Sequence, residues 1–209
     1  MRTIILCFFL IFSFSVSAQD FEGEIKYKLS YYQKENKTLI ESPELIRLFG
    51  DTSIFITKKG SYKQVTNSQY MAYQLYEPLT NRLYLKSQIE SDTLFYIVGS
   101  KIKNTKFEYE ITKNAITILG HVCDKLTVKD DVGKQDYYYT KDLKVSPKYF
   151  RNFSAFNKNE ITDIMKSIFL RVDYFFIDFI ARMEAVAING GNVTDKQFVL
   201  PSHKILIEK

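Results

Sequence analysis

Few residues in this sequence have types and spacing suited to chemistry. His121 and Cys123 are separated by one residue, which can put an imidazole and a thiol on one side of an extended strand. Such a pair could build a thiolate nucleophile, but only with a base held across a formed cleft. It is too sparse for a zinc site, which takes three or four ligands. The second histidine, His203, lies far downstream beside Pro201. Glu22/Glu24 and Glu108/Glu110 alternate with apolar residues and read as solvated strand faces rather than acid/base pairs. Tyr137, Tyr138 and Tyr139 look like a stacking platform, but consecutive strand residues point to opposite faces. No glycine-rich phosphate loop, HExxH, GxSxG or EF-hand pattern occurs. The residues point to a protein that is not an enzyme, with no catalytic residues, cofactor or metal.

What the strands do carry is apolar area. Phe21, Gly23, Ile25, Tyr27, Leu29 and Tyr31 alternate with Glu22, Glu24, Lys26, Lys28 and Ser30. This period of two marks a half-buried antiparallel strand. Two further segments are apolar on both sides. Gln69–Glu77 sets Met71, Tyr73 and Leu75 against Tyr70, Ala72 and Tyr76, and Thr93–Val98 sets Phe95 and Ile97 against Leu94, Tyr96 and Val98. A sheet apolar on both faces needs two covers, or one cover and a ligand cavity. The candidate ligand-binding residues are therefore Ile25, Tyr27, Leu29, Met71, Tyr73, Leu75, Phe95 and Ile97. The bland alternative is that a helix and the chain ends cover these faces.

The elements that would position these residues are mostly strands. Ser42-Pro43-Glu44 opens a short helix through Phe49, with Ser as N-cap, Pro in the first turn and Gly50 as the stop. Strands are expected at 53–57, 61–66, 69–77, 82–86, 93–98, 106–112, 115–119, 122–128 and 135–140, with turns at Lys59-Gly60 and Thr80-Asn81. Ile161, Ile164, Met165, Ile168, Phe169, Val172, Phe175 and Phe176 then recur at three and four, which predicts one long helix over 159–175. Asn157 with Glu160 resembles a capping box for it. That helix would dock Ile164, Ile168 and Val172 on the sheet. A strand over 177–188, a turn at 189–192 and short segments at 198–201 and 204–207 close the chain. Strands at about ten-residue spacing make a meandering antiparallel sheet, barrel or half-barrel. The expected fold class is mainly β, with one long helix packed on the sheet.

The first residues give an address. Met1-Arg2-Thr3 is a short positive start, Ile4 to Phe14 an apolar core, and Val16 and Ala18 a small-residue cleavage region. This is the layout of a secretory signal peptide over 1–18, cut between Ala18 and Gln19. Eleven apolar residues are about half of the roughly 20 a transmembrane helix needs. Cys7 lies inside the apolar core and Gln19 follows the cut, so no lipid anchor is expected. The mature chain, 19–209, keeps 28 Lys+Arg against 24 Asp+Glu. That mild, interleaved excess is no nucleic-acid footprint. At this length one compact domain can bury roughly 70% of its unfolded surface. Cys123 is the one cysteine left after cleavage, so no intrachain disulfide forms, and in an exported protein its thiol reads as a buried small hydrophobe.

Three motifs carry a resemblance. Phe21-Glu22-Gly23-Glu24-Ile25-Lys26-Tyr27 follows the signal peptide, Gly120-His121-Val122-Cys123-Asp124-Lys125 is similar to a Gly-x-x-Cys-x-Lys segment, and Phe198-Val199-Leu200-Pro201 comes late. In order and spacing the mature chain resembles the GLPGLI family of exported bacterial proteins of unknown function. The stretch for which that family is named is absent; the 161–176 segment stands about where it would fall. Such chains are similar in pattern to periplasmic lipoprotein-carrier (LolA-like) half-barrels. The resemblance implies a single antiparallel half-barrel over 19–209, its concave apolar face covered by helices. Two function classes follow. One is an exported, periplasmic or secreted binder of an apolar or acyl ligand, with a lipid as partner. The other is a structural or interaction protein of the envelope with a filled core and a protein partner. In both the mature chain has no transmembrane span.

Overall fold

The structure, a computed structural model, describes residues 19–101, 106–131 and 133–209. The expected signal peptide, with Ala18 on one side of the cut, lies outside the described residues; Gln19 is the first one described.

Twelve strands form one open sheet: β1 (Gly23–Gln33), β2 (Thr52–Lys58), β3 (Ser61–Thr66), β4 (Tyr73–Glu77), β5 (Arg82–Lys86), β6 (Thr93–Val98), β7 (Phe107–Ile118), β8 (His121–Asp130), β9 (Gly133–Lys144), β10 (Ser167–Phe175), β11 (Phe179–Gly190) and β12 (Ile205–Glu208). Their order is β12-β6-β5-β4-β3-β2-β1-β11-β10-β9-β8-β7. The named pairings are antiparallel except that of β12 on β6. Strands β2 to β6 run as a meander of short hairpins. β1 then joins that half to the β11-to-β7 half by pairing with β2 on one side and β11 on the other. The architecture is the mainly β, open half-barrel expected from the strand spacing.

Helix α1 (Pro43–Phe49) forms as its caps require. The Leu45 amide donates to Ser42 Oγ at 3.3 Å, and Gly50, at φ 85°, ends it. The long second helix does not exist. α2 spans Lys158–Met165 only, and Lys166, at φ 49°, stops it. Ser167–Phe175 is strand β10. Ile168, Leu170 and Val172 are buried there, but so are Arg171 and Asp173 between them. A strand buried on both faces scatters its apolar residues at short intervals, and here they mimic the helical spacing. The alternation Leu170-Arg171-Val172-Asp173-Tyr174 was the signal for a strand. The capping box also fails to form. Asn157 is left-handed, at φ 55°, and its Nδ2 donates to Asp130 Oδ2 at 2.8 Å instead of capping α2.

Two smaller differences bear on the site. The strand expected over 69–77 begins only at Tyr73, because Ser68 Oγ accepts from the Tyr70 and Met71 amides and holds a turn there. The segments 106–112 and 115–119 are one strand, β7, with a register shift between Thr112 and Ile116 at Asn114, φ 51°.

The chain between β9 and β10 crosses one face of the sheet. It contains 3-10 turns at Pro147–Tyr149 and Ala155–Asn157, then α2. Its Phe150, Phe153, Ala155, Ile161 and Met165 join Ile25, Tyr27, Tyr62, Tyr76, Leu83, Ile97, Leu126, Tyr137 and Val172 in a single buried cluster. The crossing segment is anchored at Gly99, whose carbonyl accepts from the Ser154 and Ala155 amides at 3.0 and 3.1 Å. A side chain on Gly99 would stand 2.0 Å from the Phe153 ring, so this close approach requires glycine.

Candidate functional site

Cross-strand partners share a face, so the register sorts the candidate ligand residues. One row runs Ile188, Ile25, Phe55, Gln64, Gln74, Leu85, Phe95 and Ile207. The next row toward the strand ends runs Thr57, Tyr62, Tyr76, Leu83 and Ile97. Ile25, Tyr27, Leu29, Phe95 and Ile97 therefore lie on the face that the crossing segment covers. Tyr73 and Leu75 lie on the opposite face, and Met71 precedes β4, exposed. The eight residues do not form one surface. The sequence reading grouped them by local alternation, which gives relative facing within a strand and not between strands.

The covered face is filled by the protein's own side chains. Phe55 and Tyr62 stack with ring centroids 5.5 Å apart, Tyr62 and Tyr76 at 5.6 Å, and Tyr76 meets Phe150 at 5.3 Å and Phe153 at 4.7 Å. This ladder runs from β2 through β4 into the crossing segment. Ile25 is fully buried, and Tyr27 is almost so, its hydroxyl donating to the Phe169 carbonyl at 2.8 Å. Burial raises the Tyr27 phenol far above its ordinary value and takes Tyr76 and Tyr174 to about 12, so these groups are neutral packing elements. Lys158 enters this layer from α2. Its ammonium lies 5.3 Å from the Phe150 ring centroid and 5.8 Å from that of Tyr62. Burial pushes it down to about 8.

The opposite face is divided. Toward β6, Leu75, Tyr84 and Leu94 form a second buried cluster under Phe198 and Leu200, and the Tyr73 hydroxyl donates to the Val199 carbonyl at 2.9 Å. The late Phe198–Pro201 motif is thus a cover for the second apolar face. Toward β8 the same face is charged. Row Ser30, Arg182, Asp173, Asp136, Thr127 and Glu110 runs across five strand pairings. Asp173 accepts from Arg171 Nε at 2.9 Å and from Arg182 Nε and Nη2 at 2.9 and 3.1 Å. Burial pushes the Asp173 carboxyl up, but the two guanidinium groups outweigh it and hold the carboxyl below the usual range. Arg171 lies over the Tyr138 ring and Arg182 over the Tyr32 ring, at 4.6 and 4.7 Å. Asp173, Arg171, Arg182, Glu184 and Asp136 are each partnered, so the cluster locks the register of β9 to β11. It was not anticipated from the sequence, where Arg171 and Asp173 looked like interruptions of an apolar helix.

The His121–Cys123 pair is not assembled for thiol chemistry. Cys123 is fully buried and burial raises its thiol, while His121 Nδ1 lies 2.7 Å from Asp142 Oδ2 on the surface. Among the described residues, no three His, Cys, Asp or Glu side chains come together as a metal site needs.

A cleft of about 510 Å³ opens at one end of the sheet, where the β2–β3 turn, the β4–β5 turn, the crossing segment and the late segment meet. Lys58, Lys59, Pro78, Leu79, Asn81, Lys148, Tyr149, Asn152, Asp195 and Phe198 are among its walls, with Tyr76 at the base of the aromatic ladder. A shallower depression lined by Ser100, Arg151 and Ser154 shares Asn81 and Asn152 with it.

No protein-family model matches this chain, and no curated protein matches it in sequence. Solved structures of PNGF-II in the P21 and C2 space groups align with 90% and 88% of the chain, at TM-scores of 0.50 and 0.49 and 11% and 12% identity. The chain spans about a third of their length, 32% and 31%. At that identity the likeness concerns the fold alone. A crystal structure from Vibrio parahaemolyticus, of a domain assigned to outer membrane lipoprotein sorting, aligns with 84% of the chain and 89% of its own length. Its TM-score is 0.24 at 8% identity, too low to carry an argument about this protein.

Proposed function

We propose that this chain is a non-catalytic interaction domain of the cell envelope, working through its surface and not by carrying an acyl chain inside the half-barrel. One observation carries this reading. The face on which a carrier would seat its cargo is occupied by the Phe55–Tyr62–Tyr76–Phe153 ladder and sealed by the segment between β9 and β10. An interior packed to this extent leaves an acyl chain no room without displacing the cover. Export is supported by the signal-peptide layout of residues 1–18. It is compatible with a described chain in which no helix is long and apolar enough to cross a membrane.

The test is native mass spectrometry of gently purified protein after incubation with a long-chain alcohol, which has an acyl-length tail and no anionic group. The mass of the bare chain is expected. A stoichiometric adduct of the alcohol would overturn the reading in favour of an acyl carrier.

A further inference from the structure

We propose that the cleft at the end of the sheet binds an anionic group, a phosphate or a carboxylate, on a ligand whose apolar part rests against Leu79 and Phe198. This names the ligand chemistry of the interaction domain and rests on that reading.

The argument starts from charge. Several surface cations sit beside acids, such as Lys113 with Asp124, Lys134 with Asp136, Lys204 with Asp92 and Lys101 with Glu208. In the cleft, cations outnumber acids within one concave surface. Lys58, Lys59 and Lys148 line it and Arg151 lines the adjoining depression, against one acid, Asp195. Asp195 is already paired to Lys58 at 2.9 Å. The Lys59 ammonium also acts on Asp195, whereas Lys148 and Arg151 have no carboxylate partner among the described residues. A concave site with an excess of positive charge and low-dielectric walls concentrates anions.

The walls are set in advance. Asn81 Oδ1 accepts from the Tyr76 hydroxyl at 3.1 Å, and its Nδ2 donates to the Asn152 carbonyl at 2.7 Å, so the β4–β5 turn is tied to the crossing segment. Lys148 Nζ is held 5.0 Å from the Tyr149 ring centroid. Gly60, at φ 81°, brings the β2–β3 turn against the same ring; a Cβ there would lie 2.2 Å from Tyr149 Cγ. Beside these cations the Leu79 side chain is fully exposed. Basic side chains around a protruding leucine suit a ligand that is anionic at one end and apolar next to it.

Two probes separate the sources of that anion. Inorganic phosphate is titrated by chemical-shift perturbation, and sedimentation is measured with phosphatidylcholine vesicles with and without phosphatidylglycerol. Phosphate shifts at the cleft alone indicate a soluble anion; sedimentation that requires phosphatidylglycerol indicates a lipid headgroup. Either result is expected to weaken about tenfold or more in the triple variant Lys59→Glu, Lys148→Glu and Arg151→Glu. It should persist in Lys28→Glu, Lys37→Glu and Lys129→Glu, which makes the same change in net charge away from the cleft. All six side chains are exposed, and a melting curve verifies folding of each variant. If the triple variant does not fold, the single variant Lys148→Gln serves, with a smaller loss in the same direction. The proposal is overturned if neither probe binds the wild-type chain, if the cleft variant binds as well as wild type, or if both triple variants lose binding equally. Failure here leaves the bare-chain mass expected above untouched, so the two readings fail separately.

Discussion

The ring of Tyr76 on β4 lies 4.7 Å from that of Phe153 in the crossing segment, at an interplanar angle of 25°. The Tyr76 hydroxyl also shares its one proton between Asn81 Oδ1 and the Tyr149 carbonyl, each at 3.1 Å. One side chain thus closes the interior and shapes the wall of the cleft outside it.

Phe153→Ala should cost about 3–5 kcal/mol, the range for truncating a buried aromatic. Phe153 is 1% exposed, and its removal leaves a cavity under the crossing segment. Chemical denaturation measures the loss. A change under about 1 kcal/mol would mean that the cover contributes little to the fold.

Leu29→Trp tests the filled interior from the opposite side. Leu29 packs against the main cluster from β1. In a full core the larger ring overpacks, at about 1–3 kcal/mol, and a long-chain alcohol, which lacks an anionic group, leaves the melting temperature of wild type and variant unchanged. An alcohol-dependent rise in the wild type that the variant lacks would show vacant, ligand-accessible space.

Asp173→Ala should destabilise by about 3–5 kcal/mol, since it leaves the half-buried Arg182 and buried Arg171 without their shared acceptor. The folded Asp173 carboxyl titrates below its ordinary value. Its contribution is therefore present above the unfolded value and lost as pH falls through the folded one. Wild type should lose stability on acidification, and the variant should lose less. Equal slopes from pH 5 downward would assign the acid sensitivity to other carboxylates.

Lys158 gives an alkaline signature of opposite sign. Its folded value is lowered to about 8 from an ordinary 10.5. Between these values the unfolded chain holds a proton that the folded chain has released, so stability rises with pH. Above about 10 the buried Tyr76 and partly buried Tyr174, raised to about 12, reverse the trend, because the unfolded chain then loses phenolic protons first. A melting temperature that climbs from pH 8 toward 10 and then falls is expected. Lys158→Met should remove the climb and raise stability at pH 7. A flat profile in the wild type would place the ammonium in water.

The sequence by itself determined the elements with local causes. The β1 alternation, the Ser42–Gly50 helix with its caps, and the short hairpins at Lys59-Gly60 and Thr80-Asn81 each rest on contacts within a few residues; the turn expected at 189–192 starts later, because Asn189 and Gly190 pair with β1 as the end of β11. The tertiary structure decided what depends on pairing between distant segments. Ile168 to Phe175 carries a helical spacing, yet becomes β10 because Arg171 and Asp173 find Arg182, Glu184 and Tyr138 on neighbouring strands, which a lone segment cannot offer. Seven of the eight candidate binding residues are apolar strand positions and Met71 falls before β4; the register divided the seven between two faces, and register is set across strands. The cleft left no trace in any single motif. Its lysines, Arg151 and asparagines come from separate turns and a crossing segment, and only chain reversal at one end of the sheet brings them within reach of a common ligand.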